Sequence, residues 1–307
     1  MPVEIPENQN FCTVKCGHKK LNLTNLNKIF WPELGKTKRD LIRYYSQMAP
    51  VLLPHLKGRA LVLKRYPDGI AGELFVSKRT PAYKPDWLDT CLIEQKTGTI
   101  TDFPIVDDEA SLLWIVNLGC IDLNPWYGPC DDVERPDYLH FDLDPVPPAG
   151  FEQVQQVALK IKAYLDKRGV TSWAKTTGAR GIHVYVPLFR KAVQQDVWAV
   201  AKRIATELAR QYPEEITVEY RLSMRPPGRV LIDYNQNAWG KTLASVYSIR
   251  PVPAATVSAP VTWRELKRGV KVTDFTIDSM PARIKKVGDL FAGLLDKRRR
   301  HSLESLA

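Results

Sequence analysis

The chain has 307 residues, 44% hydrophobic and 25% charged, a balance that excludes a disordered segment or a membrane bundle and suits two ordinary domains or one large two-lobed unit. Lysine and arginine number 44 against 34 acidic residues, a net charge of +10, so polyanions are the expected partners. The opening MPVEIPENQN lacks the basic start and apolar core of a signal peptide, and no apolar run is long enough to span a bilayer, so a cytoplasmic location is expected.

From the N-terminus, Cys12, Cys16 and His18 offer three zinc-type ligands, but their spacing fits no common zinc module and no fourth ligand is near. The five cysteines, completed by Cys91, Cys120 and Cys130, are odd in number and scattered, and reduced thiols are expected. Residues 38 to 48 place Leu41, Ile42, Tyr45 and Met48 on one helical face behind Thr37 as N-cap. Residues 60 to 66 read as a strand and 108 to 118 as a second helix. YLHFDLD at 138 to 144 is a strand, followed after a proline-rich turn by a helix from Phe151 to Lys167 that ends at Gly169.

SWAKT at 172 to 176 and IHVYVP at 182 to 187 then form a hairpin around a glycine turn. A helix from Ala192 to Gln211 turns Val193, Val197, Val200, Ile204 and Leu208 inward. ITVEY at 216 to 220 and RVLIDYN at 229 to 235 read as a second hairpin, joined through MRPPG. Strands grouped in hairpins between helices predict an α+β fold, with a largely antiparallel central sheet flanked by helices. LDKRRRH at 295 to 301 reads as a solvated basic helix end.

Chemistry concentrates in three places. Asp142 and Asp144 in HFDLDP stand two residues apart, so the pleat puts both carboxylates on one face and turns Leu143 to the other. Asp233 in VLIDYNQN likewise ends an apolar run, where an unpaired carboxylate is costly to bury. Three hard oxygen donors of this kind suit Mg²⁺ or Mn²⁺ and can hold two ions for in-line attack at a phosphate. The same aspartates also read as turn caps at strand ends, since DxD is a short and common pattern. Finally, KTTGARGIHVYVP sets Lys175, Thr177, Arg180 and His183 around Gly178 and Gly181, and such a turn offers amide, hydroxyl and cationic donors to a triphosphate. Taken alone it is also an ordinary glycine hairpin.

Six ordered segments carry a resemblance: LTNLNKIFWPELGKTK, LKGRALVLKRYPDGI, HFDLDP, KTTGARGIHVYVPL, VLIDYNQN and YSIRPVPAATVSAPVTWREL. Together they resemble the polymerase domain of bacterial and archaeal DNA ligase D, a branch of the archaeo-eukaryotic primase superfamily used in non-homologous end joining. The resemblance runs from about Leu23 to Asp289. It implies residues 1–22 as an N-terminal extension, 23–289 as one two-lobed primase-polymerase unit and 290–307 as a basic tail.

The resemblance also implies roles. Asp142, Asp144 and Asp233 would be metal ligands and catalytic carboxylates, with Asp233 helping to activate the primer 3′-hydroxyl. Lys64, Thr177, Arg180, His183, Gln236 and Arg250 would contact the incoming nucleotide, and Phe75 would stack on template or base. Asn25, Lys28 and Lys38 would hold the 5′-phosphate beyond a gap. Several amine and amide donors suit a doubly charged phosphate, although from spacing alone two solvated lysines at a helix start read the same. The implied cofactors are two Mn²⁺ or Mg²⁺ ions with NTP or dNTP as substrate, the family favouring ribonucleotides and manganese. The implied partners are DNA ends with gaps or overhangs, a Ku-type end-binding protein and a separate DNA ligase, at the nucleoid and away from any membrane.

Three positions depart from the family pattern: Val76 follows Phe75 where a second aromatic is frequent, Asn124 replaces a histidine in an IHPW-like segment, and Arg180 stands where lysine is common. Competing readings are a two-metal nuclease or phosphoesterase, a primase that starts chains de novo, and a non-catalytic single-strand binder. The triphosphate turn weighs against the first. The 5′-phosphate pocket weighs against the second, and three strand-end aspartates that would repel the ligand weigh against the third.

Overall fold

The computed structural model describes residues 3–95 and 97–306. At the N-terminus the hairpin of β1 (Phe11–Cys16) and β2 (Lys19–Thr24) alternates exposed and buried residues, and lays Cys12, Val14, Leu21 and Leu23 on the core. The short pair β3 (Ile29–Trp31) and β4 (Lys36–Thr37) leads into helix α1 (Lys38–Leu56). Thr37 caps α1 by reciprocal bonds with Asp40, and Leu41, Ile42, Tyr45 and Met48 are buried as their spacing predicts. The helix does not end at Met48 but continues through Pro50 and Pro54. Each proline removes a backbone donor, a loss offset by the complete burial of Leu52 and Leu56 at about 1.5–3 kcal/mol per side chain.

Strand β5 (Leu61–Arg65), strand β6 (Phe75–Ser77), the hairpin of β7 (Thr90–Glu94) and β8 (Ile100–Pro104), helix α2 (Glu109–Asn117) and strand β9 (Cys120–Pro125) complete this half. β6, β5 and β9 form an antiparallel sheet in that order. A small second core of Val62, Ile93, Phe103 and Trp126 lies against β7 and β8. Over it, Cys91 is joined to Cys130 by a disulfide across 39 residues, which corrects the expectation of reduced thiols throughout. Scatter in sequence is no measure of distance once a hairpin folds back. Cys12, Cys16 and Cys120 are free.

The second half is a six-stranded sheet. Its elements in chain order are β10 (Tyr138–Pro145), α3 (Phe151–Asp166), β11 (Trp173–Thr176), β12 (Ile182–Pro187), α4 (Gln194–Gln211), β13 (Ile216–Thr217), β14 (Val230–Asp233) and β15 (Pro260–Val261). The spatial order is β13-β14-β10-β12-β11-β15. On one face Leu139, Phe141, Leu143, Ile182, Val184 and Val186 are fully buried beneath α3 and α4. α4 presents Val197, Ile204 and Leu208 to them, whereas Val193 is its N-cap and, like Val200, only half-buried.

All pairings in this sheet are antiparallel except that of β13 with β14. The expected second hairpin is therefore corrected to a parallel pair. The chain leaves the two-residue β13, turns through a 3₁₀ segment at Leu222–Met224, and re-enters β14 from the end at which β13 began.

Beyond β15 come α5 (Trp263–Arg268), α6 (Ser279–Val287) and α7 (Ala292–Leu295). The last residues do not stand in solvent as a basic helix end. Phe291 and Leu294 are buried, His301 bridges to Leu188 beyond β12, and Arg300 approaches Asp137 at 3.6 Å, although Arg298 projects outward. No described helix is long and apolar enough to cross a membrane.

Candidate active site

The face of the six-stranded sheet opposite α3 and α4 is polar. Register alone assembles a row across it: Asp233 on β14 lies opposite Asp142 on β10, Asp142 opposite His183 on β12, and His183 opposite Lys175 on β11. Directly opposed residues share a face and sit about 4.5–5.5 Å apart at Cβ. Asp144 lies on the same face two residues further along β10, where the glycine turn before β12 closes against it.

All three carboxylates are more buried than free carboxylates tolerate. Asp142 and Asp233 are each 7% exposed, and Asp144 is half-buried. Burial pushes Asp142 up to about 6 against the pull of Lys175 and Arg250. Burial, with the charges of Asp142 and Asp233, pushes Asp144 up to about 7, while Arg180 and Arg225 pull it down. Asp233 is also raised by burial, against the hydrogen bonds from Gln236 Nε2 at 2.9 Å and the Asn235 amide at 2.9 Å. Mutually repelling buried carboxylates call for positive charge between them. The donor set therefore fits divalent cations in chemistry, although among the described residues no group of three or more acidic, His or Cys side chains is gathered as a ready-made cage.

The turn between β11 and β12 is shaped by its glycines. A side chain on Gly178, at φ +70°, would meet Arg250 Cγ at 2.5 Å, and one on Gly181 would meet the Leu143 carbonyl at 2.2 Å. Glycine at these two positions lets Arg250 and β10 approach the turn. Thr177 turns its hydroxyl inward, accepting from the Ala179 and Gly181 amides at 3.1 Å, and so fixes the loop rather than projecting from it. Arg180 is exposed at the tip.

Lys64 and Arg250, one from β5 and the other from the loop before β15, meet on Asp122 of β9. Asp122 is 1% exposed and pairs with both cations at 3.3 Å. It carries no signal in the sequence, because its partners are 58 and 128 residues away. Val76 lies opposite Lys64 and so shares its face, whereas Phe75, 45% exposed, lies opposite Arg65. Asn124 is fully buried, donates to the Asp122 carbonyl at 3.0 Å, and leaves its own Oδ1 without a partner among the described residues.

Asn25, Lys28 and Lys38 are gathered elsewhere, at the start of α1. Asn25, at φ +55°, opens a turn closed by the Lys28 amide on its carbonyl, and the Lys38 amide donates to the Lys28 carbonyl at 2.8 Å. Lys38 Nζ donates to the Thr24 carbonyl at 2.7 Å, while Lys28 pairs with Asp68. Burial, with Lys28 nearby, holds Lys38 down to about 8.

The chain as a whole is similar to known proteins. The family described as "LigD, primase-polymerase domain" matches residues 37–291. The multifunctional non-homologous end joining protein LigD of Mycolicibacterium smegmatis is 31% identical over 279 residues, 90% of this chain and 36% of that protein. The bifunctional LigD of Bacillus subtilis is 34% identical over 274 residues, 88% of this chain and 43% of that protein. The chain thus spans less than half the length of these relatives. Among solved structures, the polymerase domain of Mycobacterium tuberculosis ligase D in complex with DNA superposes with a TM-score of 0.83 at 30% identity, covering 90% of this chain and 98% of that one. With its fold and most of its length matched, the chain belongs to the LigD primase-polymerase family and is a nucleotidyltransferase of that class.

Proposed function

We propose that this chain fills gaps and extends 3′ ends at DNA double-strand breaks in non-homologous end joining, favouring ribonucleotides and engaging a downstream 5′-phosphate. The observation that carries the reading is the row Asp233, Asp142, His183, with Asp144 beside it and two cations held nearby by Asp122. Polymerase domains of this family are metal-dependent. Asp142, Asp144 and Asp233 would hold two Mn²⁺ or Mg²⁺ ions, which supply stabilisation of charge at the transferring phosphoryl group and activation of the primer hydroxyl.

The chain's own residues do the rest. Lys64, Arg250, Arg180 and His183 present donors to the triphosphate, and Thr177 keeps the turn in shape. Gln236 orients Asp233 toward the primer terminus. Asn25, Lys28 and Lys38 bind the phosphate across the gap, and Phe75 stacks on an exposed base. A Ku-type protein and a separate ligase would deliver and seal the ends at the nucleoid.

The test is extension of labelled gapped DNA by the purified chain with Mn²⁺ or Mg²⁺ and either nucleotide type. Template-directed addition, faster with ribonucleotides and with a 5′-phosphate on the gap, is expected. Shortening of the label would assign a nuclease, synthesis without a primer a primase, and binding without chemistry a single-strand binder.

A further inference from the structure

Lys175 is 1% exposed, in a position where a methionine would fill the same space without desolvating a charge. Its Nζ lies 2.9 Å from the Ala244 carbonyl, 2.6 Å from Ser258 Oγ and 2.7 Å from His183 Nδ1. His183, itself 3% exposed, points its other nitrogen, Nε2, at Asp142 Oδ1 at 3.1 Å. A continuous line of contacts therefore runs Lys175, His183, Asp142 along the row that register creates.

Counting hydrogens fixes the direction of that line. The Ala244 carbonyl can only accept. Ser258 Oγ donates its hydrogen to the Thr176 carbonyl at 3.0 Å, so toward Lys175 it accepts. An ammonium has three N–H donors, and the third meets Nδ1. With Nδ1 accepting, the imidazole proton resides on Nε2 and is donated to Asp142. A neutral amine would aim its lone pair at Nδ1, force the proton there, and leave bare Nε2 facing a carboxylate oxygen. Burial, and then Arg250, pull Lys175 well below its ordinary value, and Asp142 and Asp122 only partly oppose them. It is the hydrogen-bond count that selects the charged form, the one in which every atom of the line is satisfied.

We propose that Lys175 is a positioning residue for nucleotide addition: it accepts no ligand itself but fixes His183 in the Nε2–H tautomer, with that N–H aimed at the mouth of the carboxylate site. A triphosphate oxygen entering there is met by a donor already oriented, and the ring need neither flip nor exchange its proton. The inference rests on the reading of His183 as a nucleotide contact, but the tautomer can be measured without any nucleotide.

The experiment combines nitrogen-15 NMR of the histidine rings with extension kinetics of Lys175→Met, His183→Ala and the double variant. In wild type His183 is expected with its proton on Nε2, and in Lys175→Met with the Nδ1–H form populated. Lys175→Met should lower kcat/KM by about 10- to 100-fold, by analogy with the range found when the outer hydrogen-bond partner of a metal-bound histidine is removed. The loss should appear in the nucleotide KM, with affinity for gapped DNA unchanged. In the His183→Ala background the same substitution should cost less than about twofold, because its route of action is gone. A wild-type His183 protonated on Nδ1 overturns the proposal even if Lys175→Met does not fold. A full additive loss in the His183→Ala background overturns it too, and assigns Lys175 a purely structural tie between β11 and its neighbours. If His183→Ala leaves the nucleotide KM unchanged, the reading of His183 fails, while the tautomer still decides what Lys175 does.

Discussion

The two regions to which the proposed function gives phosphate chemistry are built by opposite means. The carboxylate row is set by strand register in the middle of a sheet, with Asp233, Asp142 and His183 buried and facing one another across the pleat. The Asn25, Lys28 and Lys38 group is set by one turn and one helix start, with Asn25 exposed and Lys28 already paired with an exposed Asp68. The first arrangement tolerates no rearrangement, because a one-residue slip would send every carboxylate to the apolar face. The second can exchange Asp68 for a phosphate at the expense of a surface ion pair worth at most about 1 kcal/mol. Rigid placement suits chemistry, and an exchangeable counter-ion suits reversible docking.

The largest effect should come from breaking the row. Asp142→Ala or Asp233→Ala is expected to abolish extension while leaving affinity for gapped DNA intact, because duplex contact uses other groups. Extension within tenfold of wild type in either variant would remove these aspartates from the mechanism.

A smaller effect tests whether rigidity extends to the cations. Asp122→Ala leaves Lys64 and Arg250 without the buried charge that fixes them, and charge-assisted bonds to such a group contribute about 1.5–3 kcal/mol. The nucleotide KM should rise by roughly tenfold or more with DNA affinity unchanged. An unchanged KM would show that the two cations find their places without Asp122.

The smallest effect belongs to the exchangeable region. Lys28→Ala combined with Lys38→Ala should erase the preference for a 5′-phosphorylated gap over a hydroxyl-ended one, yet spare extension of a simple primer overhang. The wild-type preference should also depend on pH in a definite direction. Lys38 is lowered to about 8 by burial, so it is charged at pH 7 and largely neutral at pH 9, and the preference should shrink between them. Relative affinities for the two gaps at both pH values check this, and a preference constant to pH 9 would separate Lys38 from the phosphate.

The same contrast explains how much the sequence disclosed. The period of two placed Asp142 and Asp144 on one face and Leu143 on the other, and 3.6-residue spacing placed the buried face of α1, because both are local regularities. The helix beyond Met48 was hidden by Pro50 and Pro54, whose local penalty is outweighed by contacts no local pattern reports. The parallel pairing of β13 with β14 and the Cys91–Cys130 link depend on where distant segments return. Asp122 was invisible for the same reason, since its role exists only once Lys64 and Arg250 arrive from separate parts of the chain. Lys175 was visible as a residue of the glycine turn, but not as a buried one.

The docked C-terminal segment bears on what counts as a complete folding unit. Phe291 packs edge-on against Tyr185, a Cβ added to Gly293 would strike the Trp173 ring at 2.6 Å, and Arg300 shares Asp137 with the buried Arg59. These residues act as an intramolecular ligand for the polar face of the sheet, presented by its tether at an effective concentration of the millimolar order. The match to the family model stops at residue 291, but thermodynamic linkage does not. Whatever stabilises the bound segment stabilises β12, the strand that carries His183.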